Sequence, residues 1–96
     1  MLKVYVSDWC PYCERAERWL KENRVPFTAI NIEYEPPLVM ERVIEANGGK
    51  TWNVPTFEYR GQWLVMNGFN HFLLEKWLCQ HGLITHQAAA EKHGML

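Results

Sequence analysis

The sequence predicts one α/β domain that contains a four-stranded mixed sheet, helices on both faces and a helical tail at the C-terminus. Two observations carry this prediction: strand and helix patterns alternate through the first half of the 96-residue chain, and a hairpin pattern with a two-residue turn follows them. The length suits a single domain with a modest hydrophobic core. We expect residues 1–96 to form this domain, with its core in about residues 2–81 and its tail in residues 83–96.

The chain begins with a strand pattern, a helix pattern and a second strand pattern. Residues 2–6 are apolar and β-branched, as in a short strand, and Pro11 has the fixed φ of a first helical turn. The helix keeps one apolar face and should end near residues 23–24, because Pro26 disfavours helix in the residue before it. Residues 25–32 then predict the second strand.

A second helix and a β-hairpin follow. The helix should occupy residues 37–46, and Asn47-Gly48-Gly49 is a stop signal. Residues 54–59 and 62–66 alternate like strands around Arg60-Gly61, so they predict a hairpin with a two-residue turn.

The last main helix should cover residues 69–81 and end at Gly82, and residues 87–92 can add a short helix in the tail. The resulting order, β-α-β-α-β-β-α, combines one parallel crossover with one antiparallel hairpin. A Cys-x-x-Cys beside such a crossover is typical of the thioredoxin fold, which we therefore expect. The candidate core residues beyond the first strand are Tyr12, Ala16, Trp19, Leu20, Phe27, Ile30, Ile32, Leu38, Met40, Val43, Ile44, Phe69, Phe72, Leu73, Trp77 and Leu78.

The segment Cys10-Pro11-Tyr12-Cys13, hereafter the clip, lies between the first strand and the first helix. The free N–H groups and the dipole at the start of a helix favour a thiolate at Cys10, which makes it the predicted nucleophile. Cys13, one turn later, can resolve a mixed disulfide between Cys10 and a client protein. Half of a zinc site is the alternative, but no second Cys-x-x-Cys or close histidine pair completes a tetrahedral set, so we expect no metal.

Composition argues against several classes of partner. Ten Lys and Arg residues against eleven Asp and Glu residues give a formal charge of -1, without a basic stripe for nucleic acid. The sequence has neither a signal-peptide pattern nor an apolar run of membrane-spanning length. Three cysteines, one close pair plus Cys79, suit a reducing compartment. We expect a soluble, cytoplasmic monomer without a tightly bound cofactor.

The segment Trp9-Cys10-Pro11-Tyr12-Cys13 after the first strand, with Val54-Pro55 opening the third, resembles the dithiol glutaredoxins over residues 2–81. Asn47-Gly48-Gly49-Lys50 is also similar to the mycoredoxins, which usually have glycine in place of Pro11. The resemblance implies reduction of disulfide-containing or thiolated client proteins, with glutathione as co-substrate. It also implies that Pro55 is cis and that the Val54 backbone pairs with a bound cysteinyl thiol like an added strand.

Several positions depart from the glutaredoxin pattern. Ser7 stands where the family usually has a lysine for a glutathione carboxylate, and Asp8 brings negative charge near the thiol. Gly68 keeps the close backbone approach that the family uses for the γ-glutamyl end of glutathione, whereas Asn70 lacks the acidic charge of the family residue. Our hypothesis is that Lys50 replaces the missing cation.

Other residues near the clip have both a functional and a plain structural interpretation. Trp9 and Tyr12 flank the nucleophile and Trp52 precedes the Val-Pro pair, so all three are candidates to line a substrate groove. Each can equally be a packing or surface aromatic. Arg15 and Arg18 can lower the thiol pKa, or can be solvated charges on the outer face of the helix.

Two other functions remain open. Asn67-Gly68-Phe69 resembles the Ser-Gly-Phe segment of the glutaredoxin-like redoxins that thioredoxin reductase reduces, which implies a redoxin serving ribonucleotide reductase or another reductase. Some glutaredoxins instead carry an iron–sulfur cluster between two subunits, although Pro11 is unusual among them. We interpret Cys79 as a small buried or half-exposed side chain. The histidines, which we interpret as surface residues, are His71, His81, His86 and His93.

Overall fold

A computed structural model describes residues 1–85 of the chain. The predicted tail helix at residues 87–92, together with His86 and His93, lies outside the described residues. Within them the elements follow the predicted order. They are β1 (Leu2–Val6), α1 (Pro11–Glu22), β2 (Phe27–Asn31), α2 (Pro37–Ala46), β3 (Thr56–Tyr59), β4 (Gln62–Leu64) and α3 (His71–Gln80).

The four strands form one mixed sheet in the order β2-β1-β3-β4, which confirms the predicted fold class. β1 is central: Val4 pairs with Ala29 of parallel β2 on one side and with Phe57 of antiparallel β3 on the other. The hairpin between β3 and β4 turns at Arg60 and Gly61, whose φ angles of 50° and 79° are both positive. Positive φ at both central residues is the geometry that suits a two-residue hairpin.

The helices cover both faces of the sheet. α1 and α3 lie side by side on the face where Leu2, Val4 and Val6 point, and their buried residues form the main core. α2 covers the opposite face, where the Tyr5 ring stacks on Trp63 with 5.4 Å between centroids. The buried helical side chains are Cys13, Ala16 and Leu20 of α1, Val43 of α2, and Leu74, Trp77 and Leu78 of α3.

All three helices end in the same way. After α1, Val25 N–H donates to the Leu20 carbonyl at 2.9 Å while Arg24 takes a left-handed φ of 57°. α2 and α3 close with the same hydrogen bonds, but Gly48 and Gly82 occupy the left-handed position. This closure satisfies carbonyls that the last helical turn would leave without partners.

Several element boundaries and core assignments differ from the sequence expectation. β2, β3 and β4 are each shorter than predicted, and α1 ends at Glu22. α3 begins at His71 rather than residue 69, because Asn70 caps the helix and the chain before it is extended. Phe72 and Leu73 are 68% and 47% exposed, and Leu38 is also exposed, although their spacing predicted burial. Within residues 1–85, no helix is both long enough and apolar enough to cross a bilayer.

Candidate active site

The clip lies where β1 ends and α1 begins. Cys10 is the N-cap of α1, with extended backbone at φ −114° and ψ 98°. The Cys13 N–H donates to the Cys10 sulfur at 3.1 Å. The two sulfurs form a disulfide, with the Cα atoms 5.2 Å apart. Cys10 is half-buried and Cys13 is buried, so the first sulfur is the accessible one. In the reduced protein the same N–H and the helix N-terminus would stabilise negative charge on Cys10.

Val54 and Pro55 form the second part of the site. The bond between them is cis, as the glutaredoxin resemblance implies, and the Val54 carbonyl oxygen lies 3.9 Å from the Cys10 sulfur. The fully buried Thr56 supports this segment from behind. Its hydroxyl donates to the Asn53 carbonyl at 2.6 Å and accepts from the Asn47 amide at 3.1 Å. This support was not predicted, because its one sequence signal is a threonine directly after the Val-Pro pair.

Gly68 contacts the clip at Tyr12. A Cβ placed on Gly68 would lie 3.5 Å from the Tyr12 ring, and Gly68 has a left-handed φ of 76° that favours glycine. Tyr12 is 47% exposed, so it is a surface residue rather than part of the core. Trp9, directly before Cys10, has a left-handed φ of 56° and is 97% exposed.

Asn70 has a structural role in addition to the predicted binding role. Its side-chain oxygen accepts hydrogen bonds from the N–H groups of Phe72 and Leu73, at 2.9 and 3.3 Å. These bonds satisfy two of the free donors at the start of α3. Phe69, the neighbouring candidate, is half-buried against the core. The Asn70 oxygen is therefore already engaged within the protein.

The other candidate residues lie in the segment after α2 and in the loop before the clip. Lys50 is exposed in the segment after α2, and within residues 1–85 no ion pair or hydrogen bond joins it to the cysteines. Trp52 is also exposed, in the same segment. The Ser7 hydroxyl contacts the carbonyl of Asp8, its neighbour, at 3.4 Å.

The Asp8 carboxylate is engaged at the end of β2. It accepts a hydrogen bond from the Asn31 amide at 2.9 Å and another from the Tyr34 hydroxyl. The Asp8 N–H also donates to the Glu33 carboxylate. The bond to Asp8, followed by the charge of Asp8, raises the pKa of the Tyr34 hydroxyl above its ordinary value. These contacts tie the loop that carries Cys10 to the edge of the sheet.

The remaining cysteine and histidines of residues 1–85 lie on α3 or just after it. Burial, together with the negative charge of Glu75, raises the pKa of the half-buried Cys79 thiol above its ordinary value. The His71 ring lies 4.0 Å from Phe72, and the His81 ring lies 4.7 Å from Trp77. Within the described part of the chain, no group of three or more His, Cys, Asp or Glu residues is placed to hold a metal ion.

The four-stranded mixed sheet, the three helices of residues 1–85 and the cysteine pair at the start of α1 define a protein of the thioredoxin fold. A model of the glutaredoxin family matches residues 2–62, and the chain belongs to this family.

Individual relatives cover only part of the chain. Over 45 residues, 47% of this chain, it is 40% identical to the glutaredoxin-like protein NrdH of Lactococcus lactis and to the global transcriptional regulator Spx 1 of Bacillus cereus. These matches cover 61% of NrdH and 34% of Spx 1, so the chain spans less than two thirds of each. Among solved structures, the glutaredoxin from Archaeoglobus fulgidus superposes with a TM-score of 0.65 at 25% identity, covering 78% of this chain and 82% of that one.

Proposed function

We propose that this protein reduces disulfide bonds of client proteins through the Cys10 and Cys13 dithiol. The observation that carries the proposal is the Cys13 N–H donating to the Cys10 sulfur at the start of α1. This hydrogen bond favours the thiolate, which is the form of cysteine that attacks a disulfide. The Cys10 thiolate forms a bond to one client sulfur, the client S–S bond breaks, and the other client sulfur leaves as a thiolate that takes a proton.

Cys13 completes the reaction. Its thiolate, formed by loss of a proton to solvent, attacks the Cys10 sulfur of the mixed disulfide and releases the second client thiolate, which is then protonated. Two electrons have moved from the dithiol to the client, and the enzyme is left with the Cys10–Cys13 disulfide seen in the structure. An external donor of two electrons must then reduce that disulfide.

The client should bind across the Val54-Pro55 segment. Because the Val54 carbonyl lies 3.9 Å from the Cys10 sulfur, an extended client backbone beside Val54 would bring its own sulfur close to Cys10. Backbone pairing of this kind adds a strand and needs no particular client sequence. Trp9, with almost all of its side chain exposed beside Cys10, supplies apolar contact area, and Trp52 and Phe69 are further candidates.

Glutathione is one candidate donor. Gly68 lies next to the Tyr12 ring and the Val54 carbonyl lies 3.9 Å from the Cys10 sulfur, and both contacts support binding of a small peptide thiol near Cys10. The acidic contact that the family uses for glutathione is replaced by Asn70, whose side-chain oxygen caps α3. An oxygen that accepts two backbone hydrogen bonds is a weak partner for the glutathione amine.

A thioredoxin-reductase-type flavoenzyme is the second candidate donor, and the Asn70 cap favours it. A protein donor delivers its electrons through its own cysteine pair and does not need the γ-glutamyl contact. The client would then be a reductase of the ribonucleotide-reducing class or a similar enzyme, in the cytoplasm, with this protein acting as a monomer. Anaerobic reconstitution with iron, sulfide and glutathione would test the cluster-carrier alternative, which predicts a brown, glutathione-dependent dimer.

A coupled NADPH assay separates the two donors. The full chain and a disulfide-bonded client such as insulin are mixed either with glutathione and glutathione reductase or with thioredoxin reductase alone. A rate with thioredoxin reductase that exceeds the glutathione rate supports the protein donor, and the reverse order supports glutathione.

Cysteine variants test the reaction itself. Cys10→Ser should abolish turnover with either donor. Cys13→Ser should abolish reduction of the protein disulfide, while still removing glutathione from a mixed disulfide if glutathione is the donor. Full insulin reduction by Cys10→Ser would overturn the proposed function.

A further inference from the structure

One side of α1 carries aromatic and cationic groups next to the clip. Tyr12, Arg15 and Trp19 share this side through i, i+3 and i+7 spacing. The Arg15 guanidinium carbon lies 5.8 Å from the centre of the Tyr12 ring. Trp19 faces His71 at the start of α3, with 6.3 Å between ring centroids. We call this surface the α1–α3 flank. Its members are Tyr12, Arg15, Trp19, Gly68, His71 and Phe72.

Arg15 differs from the other cations of α1 in having no acidic residue three or four positions away on its helix. The positions three and four residues away hold Pro11, Tyr12, Arg18 and Trp19. Side chains at these spacings are the ones that meet on a helix surface. Within residues 1–85, no carboxylate lies within ion-pair distance of Arg15.

The acidic residues of α1 nearest the clip lie on its other side. Glu14 and Glu17 border a shallow surface there together with Arg18, Lys21 and Glu22. Arg18 has acids four residues before and after it, and Lys21 has Glu17 four residues before it. Their charges are thus balanced along the helix, whereas the charge of Arg15 is not.

The acidic groups of the clip loop also lie away from the flank. The Asp8 carboxylate is hydrogen-bonded to Asn31 and Tyr34 at the edge of the sheet formed by β2. The first acidic residue of α3, Glu75, comes one turn beyond His71. The surroundings of Cys10 are therefore acidic towards β2 and cationic and aromatic towards α3.

We propose that the α1–α3 flank docks an acidic segment of the client, and this rests on the proposed function. An Asp or Glu of the client binds the Arg15 guanidinium, which suits a carboxylate because its planar fork can donate two parallel hydrogen bonds. An apolar client residue beside that acid packs on the exposed rings of Tyr12 and Phe72. Docking adds no chemical step, and the thiol–disulfide exchange at Cys10 is unchanged.

The helix geometry predicts how far the acid lies from the client cysteine. Arg15 follows Cys10 by five residues, which is about 7.5 Å along a helix axis. An extended client covers about 3.3 Å per residue, so the acid should lie two or three residues from the reacting cysteine.

Two peptides test the proposal. In each peptide the single cysteine forms a mixed disulfide with 2-thiopyridine. Two to three residues from that cysteine, one peptide has an aspartate and the other has a lysine, and both have a phenylalanine beside this residue. The Cys13→Ser variant, reduced beforehand, attacks each peptide once, and the released thiopyridone gives the rate. Rates with uncharged bis(2-hydroxyethyl) disulfide, measured in parallel, correct for any change in the reactivity of Cys10.

We expect the aspartate peptide to react about fivefold faster than the lysine peptide at low salt, and the ratio to fall as salt is added. In the same background, Arg15→Gln should bring the ratio to about one and Arg15→Glu should reverse it. Lys21→Gln is the matched control, because Lys21 lies on the other side of α1 with Glu17 four residues before it, and it should keep the original ratio.

The outcomes separate the two proposals. Equal rates for both peptides, or the same loss of the ratio in Lys21→Gln and Arg15→Gln, would overturn docking on the flank while leaving disulfide reduction intact. Failure to react with any of the disulfides, including the uncharged one, would overturn the proposed function itself.

Discussion

At the scale of single residues, the surroundings of the two sulfurs give Cys10 and Cys79 different reactivity. Cys10 accepts an N–H hydrogen bond at the start of a helix, whereas burial and the charge of Glu75 raise the pKa of Cys79. In the reduced protein at pH 7, we predict that iodoacetamide modifies Cys10 at least about tenfold faster than Cys79, because the thiolate is the reactive form. Peptide mass spectrometry over time measures both rates. Equal rates would remove the basis for Cys10 as the nucleophile.

Tyr5 gives a prediction about alkaline stability. Burial, and then the hydrogen bond to Glu58 at 2.7 Å, raise the pKa of the Tyr5 hydroxyl above its ordinary value. Above about pH 10 the unfolded chain loses this proton while the folded protein keeps it, so the free energy of unfolding should fall as pH rises. Urea unfolding of Tyr5→Phe should show a loss of about 1 kcal/mol at pH 7 and a shallower fall above pH 10. Parallel pH curves for the two proteins would contradict this account.

Single residues also show the limit of reading function from sequence. Cys10, Cys13 and the Val54-Pro55 pair are identified by local motifs, and the structure places Val54 next to Cys10. The hydrogen bonds of Asp8 could not be predicted, because its partners come from β2 and the turn after it, more than twenty residues away.

At the scale of elements, the helix ends lead to a prediction about Arg24. This residue has a φ of 57° at the position where α2 and α3 have glycine. A left-handed conformation costs a non-glycine residue roughly 1–2 kcal/mol, and a glycine avoids this cost. Part of the benefit is offset because glycine has greater conformational freedom in the unfolded chain. Arg24→Gly should therefore stabilise the protein by about 0.5–1 kcal/mol, as a higher midpoint in urea unfolding. Gly82→Ala is the converse control and should destabilise it; a lower midpoint for Arg24→Gly would contradict the argument.

Element types were predictable from sequence, while several element ends were not. Hydrophobic spacing and the proline and glycine signals locate every strand and helix in residues 1–85, and α2 matches its predicted bounds. The start of α3 was misplaced because the spacing continues through Phe69, whereas the Asn70 cap sets the first turn. Apolar spacing also cannot tell a core face from an exposed one, which is why Phe72 and Leu73 were assigned to the core.

At the scale of the whole molecule, the sheet order follows from two local rules. A parallel crossover through α1 places β2 beside β1, and the Arg60-Gly61 turn places β4 beside β3. Pairing of β3 with β1 joins these two units and brings Val54, just before β3, to the end of β1 where Cys10 follows. The sequence pattern of neither unit alone predicts that Val54 lies beside Cys10, so the site depends on the complete fold.

Thr56 links this global pairing to the chemistry, because it joins the end of α2 to the segment that faces Cys10. Thr56→Val keeps the shape of the side chain but removes its bonds to Asn53 and Asn47, at 2.6 and 3.1 Å. With buried polar groups left unpaired, we expect a loss of about 1–3 kcal/mol in unfolding free energy. We also expect a lower kcat/KM for client disulfides, because Val54 is held less firmly beside Cys10. Thr51→Val, at an exposed position in the preceding segment, is the control and should change neither quantity. A Thr56→Val protein with wild-type kcat/KM but reduced stability would restrict Thr56 to a structural role.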